Sequence, residues 1–281
     1  MSSARPAAAA QPSAAPRPRA GGAALRARLQ GWGLPSAIFV ALLALWESSA
    51  IHGALGLKEY QLPYPSQIAQ AIIDRREVLL QDAIPYTGLE ALVGLILGGL
   101  LGFACSVLFA NVPFLRRGAL PIAASLNSIP IIAIAPIAVL WLGFGQPSKI
   151  AVVTLMTFAP MVVNAFKGLY SIDPQPLELM ESIAANPWQV FVKLRLPHSL
   201  PYVFQALKVG TTLAMIGALV AEFFNAEHGL GVTLSNNIQV AKMPMAWAAI
   251  VVAAVLGLLF FAVVSLLERA AIPWHVSYRK R

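Results

Sequence analysis

Six apolar stretches, each close to the length that crosses a lipid bilayer, constrain this chain more than anything else in it. They cover residues 34–52, 86–110, 118–142, 148–168, 201–224 and 246–268. A spanning helix needs about 20 apolar residues, and in lipid its backbone polar groups must be satisfied within the segment. The pattern predicts an all-α membrane protein with six transmembrane helices. Charged side chains are 11% of the 281 residues, less than half of the roughly 25% of a water-facing domain. A soluble globule is therefore excluded. None of the stretches is a plain leucine run. The third holds Pro121, Pro130 and Pro136, and the fourth holds Pro160. Each proline removes a backbone hydrogen bond that neighbours or water must replace. Broken helices are expected there, either lining a pathway or as packing kinks.

Orientation follows from the basic residues. Placing the N-terminus inside puts 15 of the 20 Lys and Arg on the inner side and leaves Lys58, Arg75, Arg76, Lys149 and Lys242 outside. The positive-inside rule then sets both termini, and residues 169–200, in the cytoplasm. The net charge of +8 comes from loops and termini and forms no basic stripe, so it reports membrane orientation and not nucleic-acid binding. Residues 1–30, rich in Ala, Pro and Arg, cannot bury a core and read as a disordered cytoplasmic tail. Residues 31–275 read as the membrane domain and 276–281 as a basic tail. In the external segment 53–85, Ile68, Ala71, Ile72 and Leu79 have rough helical spacing after Pro63 and Pro65, the pattern of an interfacial helix.

The polar stretch from Glu178 to Pro197, ELMESIAANPWQVFVKLRLP, is unusual in so apolar a chain. Asp173 can cap a helix that begins at Pro174. Leu177, Met180, Ile183 and Ala184 fall on one face of it, and Glu178, Glu181 and Ser182 on another. Asn186 before Pro187 ends that helix and caps a second one, with Gln189 three residues on as in a capping box. Pro197 and Pro201 stop the second helix before the fifth span. The product is a helical hairpin with a tight bend at Ala184 and Ala185. It either rests on the bilayer or docks on a partner.

This loop resembles the EAA loop of permease subunits of bacterial ABC importers, whose pattern is Glu-Ala-Ala, then a glycine, then Leu-Pro. Glu178 takes the glutamate, Leu179 and Met180 stand at the alanines, Ala184 at the glycine, and Leu196-Pro197 closes the motif. Leu179, Met180 and Ala184 are departures from that pattern. Leu62-Pro63-Tyr64-Pro65, Asn127-Ser128-Ile129-Pro130 with the following Ala135–Lys149, and Glu222 with Gly229-Leu230-Gly231 resemble the branch serving sulfonates, taurine, nitrate and pyrimidine-type precursors. The Asn-Ser-Ile-Pro form is closer to permeases for thiamine-pyrimidine or riboflavin-type precursors. The resemblance implies a type I ABC importer permease architecture in the bacterial inner membrane. It implies a cytoplasmic ABC ATPase dimer, a second permease chain that makes a homodimer, an extracytoplasmic solute-binding protein and membrane lipid as partners. By it, Glu178, Met180, Glu181, Ile183, Ala184, Ala185 and Pro197 are the ATPase-coupling residues. ATP chemistry belongs to another chain, since no G-x-x-x-x-G-K-[ST] sequence occurs here.

Single residues divide less cleanly. Asn127, Ser128 and Pro130 lie mid-membrane, where polar groups either join helices or line the translocation pathway. Glu222, near the outer end of the fifth span, either serves the gate or does not. Glu47 and Glu90 sit near helix ends and are expected to reach water. Trp141 fits an aromatic belt, and Cys105 a packing role. The four histidines are scattered and lack metal-ligand spacing, no catalytic constellation is present, and no cofactor is expected. An ion-coupled secondary carrier, the competing reading, calls for internal repeats and mid-depth charges.

Overall fold

The computed structural model describes the backbone of residues 20–273 except 113, 116–117, 119–120, 122–124, 126–127 and 225; side chains are described from residue 33, residue 131 excepted. Every regular element among the described residues is helical. The chain divides into two units, one ending at Leu57 and one beginning at Lys58.

The first unit holds α1 (Ala20–Glu47) and α2 (Ala50–Leu55). Helix α1 starts inside the tail expected to be disordered. Ala, Leu and Arg over residues 20–30 are good helix formers, and the helix runs through them into the apolar stretch. Residues 1–19 and the basic tail 276–281 lie outside the described residues.

The second unit carries α3 (Pro65–Asp74), α4 (Arg76–Asn111), α5 (Ile131–Leu142), α6 (Gln146–Tyr170), α7 (Pro174–Ser182), α8 (Pro187–Phe223), α9 (Leu230–Gln239) and α10 (Met243–Ala271). Among the described residues, α4, α6, α8 and α10 are long and apolar enough to cross a membrane. Two of the six expected spans are shorter apolar helices in their described parts, Gly33–Glu47 and Ile132–Leu142. Helix α3 forms where the interfacial helix was expected, with the Tyr64 N–H donating to Gln67 Oε1 at its start and Ile68 buried.

Helix α6 is the centre of the bundle. Half of its apolar window is buried, against 11% for α10, whose remaining faces suit lipid. Without a hydrophobic drive between helices in lipid, close packing and interhelical hydrogen bonds must hold such a bundle. Gly94, Gly98 and Gly102 recur at four-residue spacing along α4 and face Val153, Thr157 and Met161 of α6. A Cβ at Gly94 would come within 2.5 Å of Val153, and one at Gly102 within 2.8 Å of the Phe158 carbonyl. Thr157 Oγ1 donates across the seam to Gly94 O (3.2 Å), and Ser106 Oγ donates to Val162 O (3.1 Å). Ala91, Leu95, Val153, Ala214, Ala218 and Leu230 close the core at one end of the bundle.

Both long helices contain a π-helical turn, Leu79–Ala83 in α4 and Phe191–Arg195 in α8. Each turn ends two residues before a proline, Pro85 and Pro197. The amide before each proline reaches five residues back, Ile84 to Leu79 O and Leu196 to Phe191 O. This widened turn accommodates a residue that has no N–H and whose ring crowds the preceding turn. Pro197 and Pro201 accordingly do not stop the helix, contrary to expectation: α8 runs from the hairpin through the span without a break. Pro160 is likewise held within α6.

Candidate functional site

Two constructions stand at opposite ends of the bundle. At one end, α7 and the first turns of α8 form the hairpin. Helix α7 starts at Pro174 with Asp173 at the N-cap position, although the Asp173 side chain makes no capping bond. It ends at Ser182, earlier than the Asn186-Pro187 stop expected, because Ala184 turns left-handed (φ 51°). The Ala184 N–H reaches Glu181 O (2.9 Å) and the Ala185 N–H reaches Met180 O (3.0 Å). This is a Schellman motif, whose left-handed position usually holds glycine. The position that resembles the family glycine is thus the one with glycine-like backbone geometry.

The second limb is capped as the sequence predicts. Gln189 N–H donates to Asn186 Oδ1 (2.8 Å) and Asn186 N–H donates to Gln189 Oε1 (2.9 Å). Phe191 is held against Phe166 and Leu169 at the end of α6, and Trp188 stacks on Phe191 with centroids 5.8 Å apart. Leu177, Met180, Ala185 and Pro197 are half-buried, whereas Glu178, Glu181 and Ala184 are exposed. The apolar surface left open is large for a polar loop: Leu179 is 63%, Ile183 65% and Trp188 71% exposed.

At the other end, Glu222 of α8 is buried to 1% exposure. Its Oε1 accepts from Thr87 Oγ1 of α4 (2.6 Å) and its Oε2 accepts from the Gly231 N–H (2.6 Å). Thr87 Oγ1 in turn accepts from the Leu230 N–H (2.8 Å). The N-cap residue of α9 is Gly229, which has no side chain to cap with. Glu222 and Thr87 supply the cap from neighbouring helices, and the carboxylate faces the positive end of the helix dipole. The glycines make room for it. Gly229 has φ 115°, a region that side chains rarely adopt, and a Cβ there would collide with the Glu222 carboxyl. A Cβ on Gly231 would come within 2.5 Å of Leu219 O.

Two more charges lie beside this cap. Glu90 is 3% and Lys149 2% exposed. Lys149 donates to the carbonyls of Phe144 and Gly145, tying the α5–α6 connection to α6. The expectation that Glu90 reaches water is corrected: it lies on the face of α4 turned into the bundle, among the groups just named. Lys208, counted with the inner loops by sequence, sits within α8 and pairs with Glu268 of α10. Of the other sequence candidates, Ser128 and Pro130 are exposed just before α5, and Asn127 lies outside the described residues. Thr87 was missed as a partner of Glu222, and Lys149 as a buried neighbour of the cap. Only the spacing of Glu222 to the Gly-Leu-Gly run hinted at a cap.

A family model described as the binding-protein-dependent transport system inner membrane component matches residues 94–273, from the glycine seam to the end of α10. The chain belongs to this family. It is the permease component of an ABC importer, a membrane subunit and not an enzyme, which decides against the ion-coupled carrier. Membership implies an ATPase and a solute-binding protein as partners. The permease is 36% identical over 240 residues to the formylaminopyrimidine transport permease protein ThiX of Halalkalibacterium halodurans, covering 85% of this chain and 95% of that one. It is 28% identical to the putative aliphatic sulfonates transport permease protein SsuC of Bacillus subtilis, covering 88% and 90% of the two chains. In fold it is similar to a chain of the inward-facing MetNI methionine ABC transporter, with TM-score 0.61 and 20% identity over 70% of this chain and 97% of that one.

Proposed function

We propose that this permease spans the membrane six times with both termini in the cytoplasm, works as a homodimer in a lipid bilayer, and couples to its ATPase through the α7–α8 hairpin. In this reading Glu178, Met180, Glu181, Ile183, Ala184, Ala185 and Pro197 form the coupling element, and Asn127, Ser128, Pro130 and Glu222 belong to the translocation pathway or its gate. The solute is a small polar organic molecule, of the pyrimidine-precursor or sulfonate type that relatives are named for. The observation that carries the coupling role is the set of exposed apolar residues Leu179, Ile183 and Trp188 on a hairpin whose bend is closed on both sides, by the Schellman motif and by the Asn186–Gln189 capping box. A surface of that kind on a stiff element is suited to a protein groove. A docked, stiff element can transmit a conformational preference that a flexible one cannot.

The test is a pull-down from native membranes, paired with uptake. Ala184→Arg and Ile183→Asp should each remove the ATPase from the purified permease and abolish uptake while membrane insertion stays intact. Normal uptake by well-inserted Ala184→Arg protein would remove the coupling assignment.

A further inference from the structure

A cavity of about 560 Å³ opens at the end of the bundle opposite the hairpin, between the end of α3, the first turns of α4, α9 and the start of α10. Its volume lies within the range of small-molecule sites. Charges of both signs line it without pairing. Arg75 and Lys242 stand in its wall with Asp74 and Glu227, all four exposed. Among the described residues, His228 Nδ1 pairs with Asp82 at 2.6 Å, but no ion pair joins Arg75 or Lys242 to either of the other two carboxylates. The exposed Asn236 amide of α9 adds donors and an acceptor. A wall of this kind suits a ligand that carries both signs within one small group.

The surroundings of the cavity select the class of that ligand. Pro244 of α10 lines it. Val251, Val255 and Leu258 follow on the same side of α10, within about 60° of one another and of Pro244 around the helix, and all three are exposed. An apolar stripe therefore runs from the cavity along the spanning helix with the least buried window of the four. A soluble zwitterion has no use for that stripe, whereas a phospholipid fills both parts, headgroup above and acyl chain below. The headgroup is selected by its donors. A phosphate accepts from Arg75 and Lys242, and a primary ammonium donates to Asp74 and Glu227. A choline group has no N–H to donate and is held by aromatic cages, but among the described residues no Phe, Tyr or Trp lines the cavity. A phosphoglycerol head leaves both carboxylates without a donor cation and brings a net negative charge beside them. We propose that this cavity binds the headgroup of an aminophospholipid, of the phosphatidylethanolamine class, with an acyl chain lying along α10.

The test is native mass spectrometry of the delipidated permease–ATPase complex in detergent, titrated with phosphatidylethanolamine, phosphatidylcholine and phosphatidylglycerol of identical acyl chains. The expected result is saturable binding of phosphatidylethanolamine, about tenfold tighter than of the other two, the difference that one or two charge-assisted hydrogen bonds supply. Two double variants separate the halves of the headgroup. Arg75→Ala with Lys242→Ala should weaken all three lipids. Asp74→Asn with Glu227→Gln should remove the advantage of phosphatidylethanolamine over phosphatidylcholine and leave phosphatidylcholine binding as it was. All four side chains are exposed, so the complex should assemble normally in both variants. Arg76→Ala, at an exposed neighbour outside the cavity wall, should change nothing. Equal binding of the three lipids, or a preference that survives both double variants, overturns the site. Binding of water-soluble glycerophosphoethanolamine as tight as that of the lipid assigns the cavity to a soluble zwitterion and overturns the lipid. Equal lipid binding, with capture of the solute-binding protein lost in the same variants, gives the surface to that protein and overturns the proposal.

Discussion

Ala184 and Glu222 show how single residues set local geometry. Ala184 occupies a left-handed position where an L-residue is disfavoured by roughly 1–2 kcal/mol and glycine is not, with glycine's greater entropy loss offsetting part of the difference. Ala184→Gly should therefore tighten the bend by up to about 1 kcal/mol. Hydrogen exchange at the Ala184 and Ala185 amides, which close the Schellman motif, should slow by about fivefold, and a faster rate would contradict the strain. Glu222 caps α9 from a distance. Glu222→Ala leaves the Gly231 N–H and the Thr87 hydroxyl buried without their acceptor, each worth about 1–3 kcal/mol. Thermal unfolding in detergent should drop by more than about 5 °C, with Glu222→Gln in between because one oxygen remains. Sequence reasoning singled out both residues but could not assign their work. A left-handed alanine and a cap supplied by another helix depend on chain geometry that no local pattern records.

At the scale of elements, the seam between α4 and α6 is set by absent side chains. A Cβ at Gly98 would strike the Thr157 hydroxyl and come within 2.5 Å of Thr154 O. Gly98→Ile should push the helices apart, and the purified permease should aggregate on size-exclusion chromatography. Gly88→Ile, at a glycine whose added Cβ meets only Leu256 Cδ2 at 3.7 Å, should be much milder. The four-residue glycine spacing was present in the sequence as a cue to close packing but was hidden inside a uniformly apolar run. The π-helical turns were not legible either. Proline marked a disturbance, and the sequence reading took it as a stop; an added residue in the turn resolves the same conflict while the helix continues.

For the whole molecule, the long apolar runs made helical membrane architecture plain, because length and composition alone decide it. Which side each loop occupies rests on counting charges, and the structure shows that two counted lysines lie within the bundle, Lys149 buried and Lys208 half-buried against Glu268. Removing both still leaves the same inward bias. Cys105 is the single cysteine, so a Cys105→Ser background permits site-directed labelling. A cysteine at Leu179 should react with a membrane-impermeant maleimide only after the cells are opened, and one at Tyr60 should react in intact cells. The reverse pattern would invert the proposed topology.

Helix α8 joins the hairpin to the Glu222 cap as one unbroken element of 37 residues, about 55 Å long at the usual rise. Trp188 rides near one end and Glu222 near the other. Such a rod acts as a lever: a tilt of about 5° pivoted at the hairpin sweeps the far end by about 5 Å, nearly one helical turn. That travel exceeds the reach of any hydrogen bond to Glu222, so a rocking motion too small to notice at the hairpin would be enough to part Glu222 from both Thr87 of α4 and the start of α9.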